Sequence, residues 1–356
     1  MDMPRISEST PMRTRRTGET DYSVGLLYAI ATAALLALQE PFSALAARTL
    51  SSLDFMALTQ LALLLSLPFL ISRRASRRDF AAILLDIRQW PKLAVIFLVG
   101  LAGLSLYDIG LSSAHPIITA AVLNLSPFWA ALVAFAVSRR SISIPPWAFW
   151  LAFVVAFCGA MAIAWSQIEV DNHALAQDVI ASLFRCKWVY ALPMPAFFAL
   201  SGTLVYEWFS DYDEAGAIGA NFAVSALVLL PAAAISSTLG QAASQLSEQS
   251  VMAVVLLLAG TLAASAAGRL FYQLALTKTK NDNGAVTMFF LLIPAISALI
   301  SWPLSRWIPT LSFIPGPAFV VGMALVSGPL VVLAYFSRSS WSVARSTPSP
   351  EATPAE

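Results

Sequence analysis

Two carboxylates lie deep inside apolar runs of this chain. Glu40 stands in Gln39-Glu40-Pro41 and Asp108 in Tyr107-Asp108-Ile109. A charge at the centre of a membrane helix costs roughly 3 kcal/mol on insertion scales, so such a group is a functional candidate by default. Counting from the start of each run at a rise of 1.5 Å per residue, both carboxylates fall roughly 22–24 Å from the inner face. At one level, they form a pair that can carry a proton or hold a cation. The bland reading is solvation near the outer interface, or pairing with Arg48. Arg269 is the third ionisable candidate. It can clamp an anionic substrate with its planar guanidinium, or snorkel to the inner interface. Gln60, Tyr107, Asn124, Ser126, Tyr272, Gln273 and Thr287 can complete a polar lining. Pro41, Pro127 and Pro294 lack the amide hydrogen a helix needs, so helix breaks are expected there. Breaks at Pro127 and Pro294 would free the carbonyls of Leu123 and Phe290 for a ligand near the midplane, unless each is a kink packed against its neighbours.

The elements that position these residues come from composition and repetition. Hydrophobic residues make up 58% and charged residues 12% of 356, about half the charged fraction of a soluble domain. Lipid is therefore the expected solvent. Tyr107 to Val133 (YDIGLSSAHPIITAAVLNLSPFWAALV) is echoed about 165 residues later by Tyr272 to Ile300 (YQLALTKTKNDNGAVTMFFLLIPAISALI), the mark of a duplicated half. At about 20 residues per span, ten helices are expected at 24–47, 52–72, 93–112, 117–138, 147–166, 189–209, 215–237, 251–276, 284–305 and 314–336. The fold class is thus an all-α membrane protein of ten transmembrane helices in a 5+5 inverted repeat. Residues 1–21 read as a disordered cytoplasmic tail, 22–166 as the first five-helix repeat and 167–188 as an outer connecting loop. Residues 189–336 form the second repeat, and 337–356 a second disordered tail.

An odd number of spans per half mounts the second half upside down, and the connections can be checked for charge. On that reading one face receives sixteen Lys and Arg, from Arg5 through the cluster Arg73, Arg74, Arg77 and Arg78 to Arg345, and the other only Arg48, Arg185, Lys187 and Arg306. Both termini are therefore expected in the cytoplasm. Trp147 and Trp208 fall at inner ends, and Trp165, Trp188, Trp302 and Trp307 at outer ones, as an interfacial belt would. Phe80, Ile83, Leu84, Ile87 and Trp90 recur at helical spacing in one connection, and Leu175, Val179, Leu183 and Phe184 in another. Helices lying on the membrane surface are the plain reading of both. Small residues at Gly100, Gly103, Gly159 and Gly260 fit close helix packing. Two cysteines, Cys158 and Cys186, and two histidines, His115 and His173, supply no disulfide framework and no metal-ligand cluster. No HExxH or GxSxG motif is present.

Two five-helix halves with Pro127 and Pro294 mid-way in the fourth helix of each resemble the drug/metabolite transporter superfamily, in its ten-helix EamA-type branch. The small-residue stretches Cys158-Gly159-Ala160-Met161 and Ser327-Gly328-Pro329-Leu330, and the short turn Ser112 to Pro116, are similar to that family as well. The resemblance covers about residues 24–336. It implies a central cavity lined by helices one to four of each half, with helices five and ten peripheral, in the bacterial inner (plasma) membrane. It also implies secondary transport of a small polar metabolite or drug-like solute by alternating access, as a proton-linked exporter without a cofactor. Family members usually close helices four and nine with a Leu-Gly-Glu-like turn, whereas this chain reads Val137-Ser138-Arg139-Arg140 and Leu304-Ser305-Arg306. The expected partners are a small-molecule substrate, protons and the lipid bilayer, with a homodimer left open and no nucleic acid. The alternatives are an intramembrane enzyme, or a membrane sensor or scaffold without transport.

Overall fold

The computed structural model describes residues 12–113, 116–138, 146–171, 187–236, 248–278, 289–306 and 316–329. Every regular element among them is helical. In chain order they are α1 (Met12–Thr49), α2 (Ser52–Leu65), α3 (Leu67–Leu70), α4 (Arg74–Leu85), α5 (Trp90–Ser113), α6 (Pro116–Leu123), α7 (Ser126–Ser138) and α8 (Pro146–Asp171). There follow α9 (Met194–Trp208), α10 (Glu214–Ser236), α11 (Glu248–Leu262), α12 (Arg269–Lys278), α13 (Ile293–Leu304) and α14 (Pro317–Pro329). Six helical stretches among the described residues are long and apolar enough to cross a membrane: Ser23–Thr49, Ser52–Leu70, Ile87–Ser113, Val189–Trp208, Glu214–Ile235 and Val251–Tyr272. Trp147–Ile163, Ile293–Leu304 and Pro317–Pro329 are shorter apolar helices. The chain is a multi-pass helical membrane protein.

α1 is the central post. It packs against α11, α12, α13 and the π-helical turn Ala263–Gly268, and against α5 and α6. Its alanines explain how so many neighbours fit: Ala29, Ala33, Ala37, Ala44 and Ala46 are fully buried, and no bulky side chain holds the partners off. Gly260 of α11 makes the same allowance from the other side. A β-carbon there would stand 2.9 Å from Phe42 and 3.4 Å from the backbone of Gln39. α1 runs unbroken through Pro41, so the break expected there does not end the helix, which is clasped on that turn by α11. It also begins at Met12, so residues 12–21, read from composition as disordered, are helical. Once a span is formed, adding residues to its end costs far less than starting a helix.

The expected interruption of the fourth helix is present, but not at the proline. α6 stops at Leu123, Asn124 and Leu125 form a turn, and α7 restarts at Ser126. Pro127 is therefore in the first turn of α7, where no amide hydrogen is required. Pro294 occupies the matching place in α13, one residue after the start and preceded by a 3-10 turn, Phe289–Leu292.

α4 departs from the surface-lying helix that its spacing predicts. Its apolar stripe, Phe80, Ile83 and Leu84, joins a core with Leu93, Ile96, Leu204, Val205, Phe209 and Ala217, because α4 lies on α10. Gly216 permits the approach, since a β-carbon there would stand 2.8 Å from the carbonyl oxygen of Ser76. Asp79 is the pin: its Oδ2 accepts the backbone N–H of Asp213 at 2.9 Å, capping the amino end of α10. Leu85 and Ile87, at 86% and 79% exposure, keep the outward aspect that the amphipathic pattern also contains. The run Leu175 to Phe184 lies outside the described residues.

Candidate functional site

Glu40 is 5% and Asp108 4% exposed, on α1 and α5. Tyr107, itself 5% exposed, is the hydrogen-bond partner of Glu40 and also meets Ser43, one turn further along α1. Glu40 is thus held against the residue that precedes Asp108, and the two carboxylates share a level of the fold. They do not share partners. Asp108 is reached by Ser52, at the exposed start of α2. Oε2 of Glu40 and Oδ1 of Asp108 are buried without a hydrogen-bond partner. An unsatisfied buried carboxylate oxygen is costly and is a place where a proton or a polar ligand gains a contact.

The tyrosine that meets Glu40 sits in an aromatic setting. Phe55 is 6.2 Å and Phe198 6.4 Å from it, ring centre to ring centre. Arg48 lies further along α1, and its Nε donates to the carbonyl of Leu111 at 3.4 Å, tying the carboxyl-terminal ends of α1 and α5 together.

The remaining expected residues divide. Asn124, 5% exposed, lies in the α6–α7 turn with Nδ2 unpartnered. Gln60 is half-buried with Oε1 unpartnered. Ser126 behaves otherwise than as a lining hydroxyl, because its Oγ donates to the carbonyl of Leu123. The carbonyl that the break was expected to open to a ligand is therefore occupied by the chain's own hydroxyl. Tyr272 ends the sixth apolar stretch, half-buried against Tyr28, Ala29 and Phe289. Arg269 and Gln273 belong to α12 by their backbone, but their side chains lie outside what the structure describes, as does that of Pro127. Thr287 lies wholly outside the described residues. Arg269 follows directly on the π-helical turn Ala263–Gly268, a local widening of the helix that in other proteins frequently marks functional sites. Thr32 of α1 donates to Gly268 of that turn at 3.3 Å.

Several polar groups escaped the reading of the sequence. Asp54 is fully buried. Its Oδ2 accepts a hydrogen bond from Ser51 Oγ at 2.8 Å, while Ser51 Oγ accepts the Asp54 amide at 3.2 Å. The Ser-x-x-Asp spacing of a capping box was the available signal. Ser297 and Ser301, 0% and 1% exposed, recur at a four-residue interval on α13 with their hydroxyls unpartnered, and Thr119 on α6 is likewise buried. α13 packs on both α1, the helix of Glu40, and α6, the helix of Thr119. The serine spacing, once burial is known, is a polar stripe on an otherwise apolar helix. Among the described residues no group of three or more His, Cys, Asp or Glu side chains is placed to hold a metal.

Grooves open on the surface of the described residues. One, of about 560 Å³, lies between α5 and α9 and includes Ser105, Tyr190 and Phe197. Another, of about 410 Å³, lies beside α3 and α4. Neither is lined by Glu40 or Asp108.

No family model and no curated protein matches this chain. A solved structure described as "Crystal structure of protein" is similar to it at 17% identity, with 90% of this chain and 99% of that chain covered and a TM-score of 0.49.

Proposed function

We propose that this protein is a secondary active transporter, a proton-linked exporter of a small polar metabolite or drug-like solute. In this reading ten transmembrane helices form a 5+5 inverted repeat of the EamA-type drug/metabolite transporter kind, with both termini in the cytoplasm. The observation that carries the reading is the pair of membrane-embedded carboxylates, Glu40 and Asp108. Each is more than nine-tenths buried with an oxygen unpartnered, and they sit on adjoining helices joined through Tyr107. A fold that gained nothing from these groups would replace them by apolar residues. The interrupted helix α6–α7 and the 3-10 entry to α13, each with a proline one residue into the restart, support two equivalent halves. Discontinuous helices near the midplane are where transporters of this architecture place their sites.

The work of the site would divide as follows. Asp108, reached by Ser52 at an exposed helix start, exchanges protons with the outer side. Glu40, deeper among aromatic side chains, holds the proton or the polar part of the solute. Tyr107, next to Asp108 in the chain, holds Glu40 in place by its hydroxyl. Purified protein in sealed vesicles is expected to move solute when a pH gradient is imposed, and to lose the pH-driven component in Glu40→Gln and in Asp108→Asn. Flux that persists undiminished in the double variant would remove the carboxylates from the mechanism while leaving transport standing. No solute moved under any gradient, across a broad metabolite panel, would return the choice to a sensor, a scaffold or an intramembrane enzyme.

A further inference from the structure

Six cationic side chains flank the connection from α2 to α5, and they are not equally engaged. Arg78 Nε is 3.0 Å from Asp79 Oδ1. Lys92 Nζ approaches the carbonyl of Trp208 at 3.5 Å and lies 5.7 Å from the Phe209 ring centre. Arg88 stands beside Asp86, whose carboxylate accepts its backbone N–H at 3.0 Å. The side chains of Arg73, Arg74 and Arg77 are exposed and have no hydrogen bond or ion pair among the described residues. The two local acids, Asp79 and Asp86, are already committed to backbone N–H groups and to Arg78 and Gln89.

Arg77 stands at the mouth of the second groove. Its walls are Leu64, Leu67, Pro68, Ile71 and Ser72, the end of the span Ser52–Leu70. Arg73 stands just ahead of α4 in extended backbone, next in the chain to Ser72 of the groove wall. The floor is firm, because Leu67, Ile71 and Phe80 all close on α10 at Gly219. Leu65 and Phe69, 50% and 68% exposed, continue the apolar surface away from the groove. An apolar trough at the end of a membrane span, open along one side, with the unengaged Arg77 in its lining and the exposed Arg73 one residue beyond its wall, complements one kind of molecule: an acyl chain carrying an anionic phosphate head. Arginine suits that head because its planar fork meets phosphate oxygens two at a time.

We infer that the groove between α3 and α4 is a binding seat for an anionic phospholipid, its phosphate held by Arg73 and Arg77 and one acyl chain laid along Leu64, Leu67 and Ile71. The seat is independent of the transport reading. At roughly 1 kcal/mol per basic residue near a charged lipid surface, two arginines give an anionic over a zwitterionic lipid a preference of about 30-fold.

Native mass spectrometry of the full chain in detergent, titrated with phosphatidylglycerol or with phosphatidylcholine of identical acyl chains, tests it. Phosphatidylglycerol is expected to be retained preferentially. The preference should fall about 30-fold in Arg73→Gln/Arg77→Gln and stay near the parent value in Arg88→Gln. Ser72→Phe fills the trough from an exposed position without altering charge, and it is expected to abolish retention with both arginines in place. Equal retention of the two lipids overturns the inference. So does an equal loss in Arg88→Gln, or retention unchanged by Ser72→Phe, which would leave only diffuse attraction to surface charge. Release of the lipid by millimolar inorganic phosphate alone would reduce the seat to a simple anion site and overturn the acyl-chain assignment.

Discussion

Asp79 is the residue on which a whole helix turns. The backbone N–H of Asp213 and, second, the Arg78 guanidinium hold its carboxyl below the usual aspartate range. A carboxyl so held stabilises the folded state above that range and ceases to do so as pH falls through its folded-state value. Asp79→Asn is therefore expected to lower the melting temperature at neutral pH, with the gap to the parent shrinking as pH falls below about 4. A gap that is constant with pH would remove the carboxylate from this role. Ser126 makes a second residue-scale prediction. With Ser126→Ala the carbonyl of Leu123 loses its donor at a helix break, and a cost of about 1 kcal/mol in unfolding free energy is expected. Glu40 and Asp108 were legible in the sequence because a charge in an apolar run is conspicuous by type alone. Their partners were not. That Tyr107 faces Glu40, and Ser52 faces Asp108, depends on how α1, α2 and α5 are rotated against each other, which no local spacing encodes. Asp54 went unread because a carboxylate at the start of a helix resembles an ordinary solvated cap until its burial is known.

At the scale of elements, glycine positions separate contact from mere flexibility. A β-carbon at Gly159 of α8 would stand 2.7 Å from the carbonyl oxygen of Gly322 and 2.8 Å from the amide of Val326, both backbone atoms of α14. Neither can step aside without moving a helix. Gly202 of α9, by contrast, has nothing within 4 Å of the same point. Gly159→Ala is expected to cost about 1–3 kcal/mol, the range for overpacking, and Gly202→Ala to be neutral or slightly stabilising through its better helix propensity. Thermal melts of the two variants in one detergent would check the contrast, and equal melts would refute it. The long apolar helices were readable because a span needs only length and hydropathy. The fate of α4 was not, since an amphipathic stripe looks alike whether it meets lipid or α10. The break in the fourth helix was anticipated from Pro127, but the turn falls at Asn124 and Leu125, because proline is accommodated in the first turn of the helix that follows it.

At the scale of the molecule, the proposed orientation makes a sided prediction. A cysteine placed at Ser51, exposed at the α1–α2 turn, should react with an impermeant maleimide from outside intact cells in a Cys158→Ala/Cys186→Ala background. One placed at exposed Arg74 should react only after the membrane is opened. The reverse pattern would invert the assignment of faces. That proposal rests on charge bias alone, which depends on counts in the connections and not on packing. The echo between Tyr107–Val133 and Tyr272–Ile300 motivates the proposed halves, but how α1 threads between α11, α12 and α13 is decided by its buried alanines and by Gly260, which no echo encodes.

The pin between Asp79 and Asp213 spans 134 positions of chain. During synthesis α4 therefore leaves the ribosome long before the helix it caps, and of the core that Phe80, Ile83 and Leu84 join, only Leu93 and Ile96 of α5 are present early in that interval. The bilayer surface shelters amphipathic segments, so α4 is expected to rest on lipid until α10 arrives. A nascent chain halted before residue 213 should thus expose α4 to protease at the membrane face, whereas one halted after α10 has inserted should protect it.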